Sequence, residues 1–98
     1  MIKRSVLLMT VLLMSPVTYA YNCDAMSEFA TKIMQHRQAE TPVSVVAPAC
    51  KTTSITKAIC AVAWQEPVKE TLTEKVETVQ TFGNAWFEIC IKMKQKNM

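Results

Sequence analysis

The 98-residue chain has a single glycine and a single histidine, and it contains no Gly-x-Ser-x-Gly, Cys-x-x-Cys or glycine-rich phosphate-binding motif. Each absence removes a class of chemistry. A phosphate-cradling loop needs glycines so that backbone N–H groups can approach the anion, and a serine-nucleophile elbow needs them around a strained turn. With His36 the sole imidazole and no closely spaced cysteine pair, neither a zinc site nor a redox-active dithiol fits. His36 stands at the end of a helical pattern without an acid or nucleophile motif, and it reads as a residue that complements the helix dipole or meets solvent. No catalytic residue, metal or cofactor is expected. Internal repeats, low-complexity tracts and interdomain linkers are also absent.

An apolar run long enough to span a bilayer is missing too. Ser5 to Met14 provides about ten residues, where a membrane helix needs roughly twenty. The run follows Lys3 and Arg4 and is closed by Pro16 and Val17-Thr18-Tyr19-Ala20, the layout of an export signal. Cleavage is expected between Ala20 and Tyr21, which gives a signal peptide over 1–20 and one mature domain over 21–98 with no stable membrane anchor. A lipoprotein reading is poor, because Tyr21 and Asn22 precede Cys23 where small residues are required. Without Lys3 and Arg4, nine basic residues face eight acidic ones, so the formal charge falls from +3 to +1. That balance argues against nucleic acid and against a strongly anionic membrane partner, both of which need a basic stripe.

What the chain does have is four cysteines, all in the expected mature part: Cys23, Cys50, Cys60 and Cys90. A domain this small buries only about three-fifths of its unfolded surface, so covalent staples are expected, and an exported protein keeps them oxidised. The even count reads as two disulfides with three possible pairings. Neighbour pairing, Cys23 with Cys50 and Cys60 with Cys90, is favoured because it closes two independent loops, each contributing roughly 3 kcal/mol.

The rest of the mature chain reads as helix. Asn22 or Asp24 caps a first helix whose Ala25, Met26, Phe29, Ala30, Ile33 and Met34 fall on one stripe. Thr41-Pro42 opens a short turn over Val43 to Ala47 that Pro48 ends. Thr53 or Ser54 starts a third element with Ile55, Ala58, Ile59, Val62 and Ala63 on its inner face, and Glu66-Pro67 stops it. Pro67 can open the last stretch, where Leu72, Val76, Val79, Gly83, Trp86, Cys90 and Met93 alternate in steps of four and three. Gly83 either lets another helix approach or splits the stretch, and the helix cost of glycine favours a break there. Lys92, Lys94 and Lys96 suit a helix C-terminus. The alternation from Thr71 to Thr81 is interrupted at Val79-Gln80, so no strand is expected. The fold class is all-α: a small multi-helix domain with two disulfides, which the Pro-bounded segments could divide into two lobes, each with its own bridge.

Two surface features remain. Glu66, Glu70, Glu74 and Glu77 are expected side by side on one exposed helical ridge, offset in part by Lys69 and Lys75. A glycosidase needs two carboxylates across a cleft, so the ridge is either a solvated face or a docking surface for a cationic partner. Trp64, Phe82, Trp86 and Phe87 suit a core, with Phe87 and Ile91 on a neighbouring stripe as the alternative anchors for a partner.

The precursor start MIKRSVLLMTVLLMSPVTYA, the mature start YNCDAMSEF, the ending WFEICIKMKQ and the cysteine spacing together resemble the Spackle periplasmic proteins of T4-like phages, over the whole chain. The resemblance implies an all-helical, two-disulfide fold and export to the host bacterial periplasm. It also implies a role in superinfection exclusion: a resident phage's protein inhibits the lysozyme domain of an incoming phage's tail device, so that peptidoglycan stays intact and DNA does not enter. A monomeric, non-enzymatic partner-binding protein is expected. The alternatives are an antiholin-type regulator of lysis timing and a generic periplasmic chaperone.

Overall fold

A computed structural model describes residues 22–96 as four helices, α1 (Cys23–Gln38), α2 (Val43–Cys50), α3 (Ser54–Gln65) and α4 (Leu72–Lys96), with no strand among the described residues. The all-α, two-disulfide architecture is the one expected. The export signal and its cleavage point at Ala20 and Tyr21 lie outside the described residues.

Side chains set the helix starts. Asn22 Oδ1 accepts from the Ala25 N–H at 3.0 Å and caps α1. Thr53 and Thr56 form a reciprocal pair at α3: the Thr56 N–H donates to Thr53 Oγ1 at 3.1 Å and the Thr53 N–H to Thr56 Oγ1 at 3.0 Å. Thr71 and Glu74 do the same for α4, at 3.1 and 3.4 Å. This box, and not Pro67, opens the last helix, so residues 66–71 are a connector. The end of α1 is a Schellman motif built without glycine. Glu40 takes a left-handed backbone, φ 61°, while its N–H donates to the Arg37 carbonyl at 3.0 Å and that of Thr41 to the His36 carbonyl at 2.9 Å. Pro48 lies inside α2 instead of ending it: the helix continues to Cys50, whose bridge to Cys60 holds its last turn against α3.

The expected break at Gly83 does not occur, and α4 runs for 25 residues through it. Propensity yields to packing here, because α1 passes so close that a Cβ at Gly83 would collide with the Thr31 hydroxyl and touch the Ser27 carbonyl at 3.5 Å. The Ser27 hydroxyl donates to the Gly83 carbonyl at 3.0 Å across the same contact. Glycine permits a close antiparallel pairing of α1 and α4, and that pairing organises the core.

The core has two clusters, one around Ile33, Met34, Val46, Cys60, Ala63 and Val79, the other around Cys23, Met26, Ala30, Ile59 and Cys90. Each holds one bridge, yet α1, α3 and α4 contribute to both, so the division runs along the helix axes and not along the chain at its prolines. Of the residues expected on the inner face of α3, Ile59 and Ala63 are buried, with Cys60 beside them, whereas Ala58 and Val62 are exposed.

The favoured disulfide pairing is overturned: Cys23 is bonded to Cys90 and Cys50 to Cys60, with Cα atoms 5.4 and 6.0 Å apart. Antiparallel packing brings the first turn of α1 against the end of α4, while the turn after Cys50 folds α3 back onto α2. Loop entropy barely distinguishes the two schemes. Closures separated by 67 and 10 residues contribute about 4 and somewhat under 3 kcal/mol, close to the total for two thirty-residue loops. Helix packing therefore decides the pairing.

The α4 seam is only partly buried. Val79, Gly83 and Cys90 are enclosed, whereas Leu72 is 75% exposed and Val76 46%. The partner helix explains the difference: α1 ends at Gln38, whose carbonyl meets the Lys75 ammonium at 2.9 Å, so Leu72 lies beyond the end of anything that could cover it.

Two outcomes test this packing. Non-reducing peptide mapping should recover Cys23 linked to Cys90 and Cys50 linked to Cys60; a Cys23–Cys50 peptide would contradict the helix pairing. Gly83→Ala should be less favourable beside Thr31 than in a Thr31→Ala background by about 1 kcal/mol in denaturant unfolding. Additive effects would mean that the two residues do not touch.

Candidate functional site

The longest connector between helices among the described residues, 66–71, is held onto the C-terminal turn of α1 by three bonds from two side chains. The Arg37 Nε donates to the Glu66 carbonyl at 2.9 Å, and its guanidinium lies 5.8 Å from the Trp64 ring centroid. Gln38, 3% exposed, donates from Nε2 to the Pro67 carbonyl at 3.1 Å and accepts the Lys69 N–H on Oε1 at 2.8 Å. Lys75 completes the clamp from α4. A buried amide left unpaired would cost about 1–3 kcal/mol, so satisfaction of both of its ends fixes the connector. Sequence reasoning missed this clamp, since Arg37 and Gln38 look like the wet end of an amphipathic helix.

The connector and the start of α4 carry the four expected glutamates, but they do not form one helical ridge. Glu66 is the C-cap of α3 and Glu70 lies in the connector; only Glu74 and Glu77 are on α4. The capping box that starts α4 late breaks the helical spacing assumed between them. Glu66, Glu74 and Glu77 nevertheless line one open depression of about 450 Å³, together with Lys69, Thr78 and Phe82. Glu66 is half-buried and paired with Lys69 at 3.0 Å, and Glu74 is used in the cap. Glu70 and Glu77 are exposed and have no ion pair among the described residues.

Phe87 and Ile91 are half-buried against the second core cluster, beside Trp86, which meets Phe82 edge-on at 6.3 Å. His36 is exposed, its Nδ1 3.2 Å from the Thr41 hydroxyl, and it lines neither this depression nor any acid pair. Among the described residues no three His, Cys, Asp or Glu side chains are grouped to hold a metal ion. No helix among them is long and apolar enough to cross a membrane.

No protein-family model, curated protein or solved structure matches the chain.

The clamp yields a direct test. Gln38→Leu should cost about 1–3 kcal/mol in unfolding free energy, because it strands the Lys69 N–H and the Pro67 carbonyl. The Lys69 amide should show the earliest gain in hydrogen exchange. Unchanged protection at Lys69 would mean that the connector is held by something other than Gln38.

Proposed function

We propose that this chain is an exported superinfection-exclusion factor of the Spackle type, acting in the host periplasm by binding and inhibiting the lysozyme domain of an incoming phage's tail device. What carries the reading is a resemblance that runs from the precursor start to WFEICIKMKQ near the chain end, together with an all-helical, two-disulfide fold of the kind that resemblance implies.

The physical chemistry supports an inhibitor that acts by docking. Two disulfides and a clamped connector leave little surface to be ordered on binding, so most of the contact energy is retained as affinity. Disulfides suit an oxidising compartment such as the periplasm, where a reduced variant of so small a core would lose several kcal/mol. The exposed carboxylates Glu70 and Glu77, with Glu74 between them in sequence, favour a cationic partner. Charges at such a rim act mainly on the rate of encounter, and their effect falls as salt screens them. Phage lysozymes are often cationic, which makes the glutamates the first side chains to vary.

Titration of the oxidised mature protein into a peptidoglycan-clearing assay driven by a T4-type tail lysozyme should give selective inhibition that saturates near one-to-one, with an unrelated lysozyme unaffected. Glu70→Lys/Glu77→Lys, which spares the α4 cap, should weaken inhibition about tenfold at low salt and less at high salt. Absence of inhibition by the native protein would sink the reading and favour the antiholin-type alternative, whose signature is a shift in lysis time on expression.

A further inference from the structure

The two disulfides sit in unlike surroundings. Cys90 is fully enclosed and Cys23 is 6% exposed, both inside the second core cluster with Met26, Ala30 and Ile59. Cys50, the last residue of α2, is only half-buried and packs against the first cluster. Charge sharpens the contrast. Residues 41–65 contain no Asp or Glu, so Lys51, next to Cys50, and Lys57, three residues before Cys60, are the only charged side chains of α2, α3 and the turn between them. Neither has an ion pair among the described residues. Disulfide exchange begins with attack of a thiolate on an accessible sulfur, and a cationic neighbourhood attracts that anion.

What the Cys50–Cys60 bridge holds is a weak helix. α2 has eight residues, three of them valine and one an internal proline, with no side-chain cap at its start and one buried residue, Val46. Val43 and Val45 are 55% and 60% exposed. A free helix of this length is unstable in water, and the β-branched residues and Pro48 lower its propensity further. Apart from the bridge, two threonine hydroxyls hold its end: Thr52 Oγ1 donates to the Ala49 carbonyl at 3.2 Å and Thr56 Oγ1 to the Cys50 carbonyl at 3.3 Å. Neutral bonds of this kind add little net stability.

We propose that Cys50–Cys60 is a separately reducible latch: a dithiol reductant opens it while Cys23–Cys90 stays closed, and α2 then leaves the first core cluster with the α1–α3–α4 body intact. One thiolate of the reductant bonds to Cys50 Sγ as the Cys50–Cys60 bond breaks, and Cys60 departs as a thiolate. The second thiol of the reductant then displaces Cys50. The reductant ends as a disulfide, and its two protons end on Cys50 and Cys60. The opened closure separates residues by 10 and the retained one by 67, so the bridge that remains is the one that constrains the unfolded chain more. The latch is independent of the exclusion-factor reading.

The test uses the oxidised native mature protein. Graded dithiothreitol, alkylation and peptide mapping should show Cys50 and Cys60 labelled at least about tenfold faster than Cys23 and Cys90. Simultaneous loss of both bridges, or loss of Cys23–Cys90 first, overturns the proposal. In the half-reduced protein, the amides of Ala47, Ala49 and Cys50 should lose at least about tenfold in protection from hydrogen exchange, while those of Gly83 and Trp86 in α4 keep theirs. Unchanged protection in α2 would leave the bridge nothing to latch, and protection lost throughout α1 and α4 would make it a staple of the whole fold; either result overturns the proposal. Cys50→Ser/Cys60→Ser should reproduce the half-reduced exchange pattern without reductant, and a double variant that does not fold overturns it too.

Discussion

The close antiparallel contact of α1 with α4 at Gly83 is the constraint on which the remaining structure depends. Ser27 and Thr31 press against a stretch of helix that has no side chain to interpose, and the Ser27 hydroxyl donates to the Gly83 carbonyl at 3.0 Å. Once the two axes are this close, the start of α1 lies beside the end of α4, and Cys23 finds Cys90. The same geometry sends the end of α1 to the beginning of α4, where Lys75 meets the Gln38 carbonyl. The helix-propensity cost of glycine, about 1 kcal/mol, is small against the burial that the approach permits.

The second structural decision is made where α1 stops. Glu40 adopts a left-handed backbone that most residues other than glycine avoid, at a cost of about 1–2 kcal/mol, and the Schellman bonds to His36 and Arg37 hold it there. Turning the chain at this point places the Arg37 and Gln38 side chains, in the last turn of α1, against the connector carbonyls of Glu66 and Pro67. It also leaves the first turn of α4 without a covering helix. One helix end therefore produces both the clamped connector and the exposed Leu72, which explains why a rigid segment and an uncovered apolar side chain are neighbours in so small a protein.

Much of this fold was legible in the sequence, and the exceptions share a cause. The apolar stripe of α1, the Asn22 cap, the Thr53 start of α3 and the stop at Glu66 are local, and periodicity with capping chemistry reads local structure well. The start of α4 was misplaced because Pro67 is a good first residue, yet the Thr71–Glu74 box four residues later satisfies more of the helix's free N–H groups. Gly83, the disulfide pairing and the exposure of Leu72 are all set by which helix lies opposite, a quantity that a single-chain pattern does not contain. The glutamates show the same limit. Their spacing fits a ridge only if one helix runs through all four, and the connector prevents that. For the candidate site, acidic character was visible from the sequence, but the depression beside Leu72 was not, because the heptad pattern assigned Leu72 and Val76 to a packed seam.

The disulfides have a consequence beyond stability. Cys23–Cys90 ties the two ends of the α1–α4 pair furthest from the connector, and Cys50–Cys60 closes the α2–α3 turn, so neither bridge includes a residue of the segment 66–80. Residues 66–75 of that region are ordered mainly by hydrogen bonds, from Gln38, Arg37, Lys75 and the Thr71 cap. Cross-links placed in the body of the molecule constrain the unfolded chain without stiffening the proposed docking face covalently. The satisfied polar clamp orders this part of the surface without a third covalent bond, and Gln38 and Lys75 serve both the clamp and the depression beside Leu72.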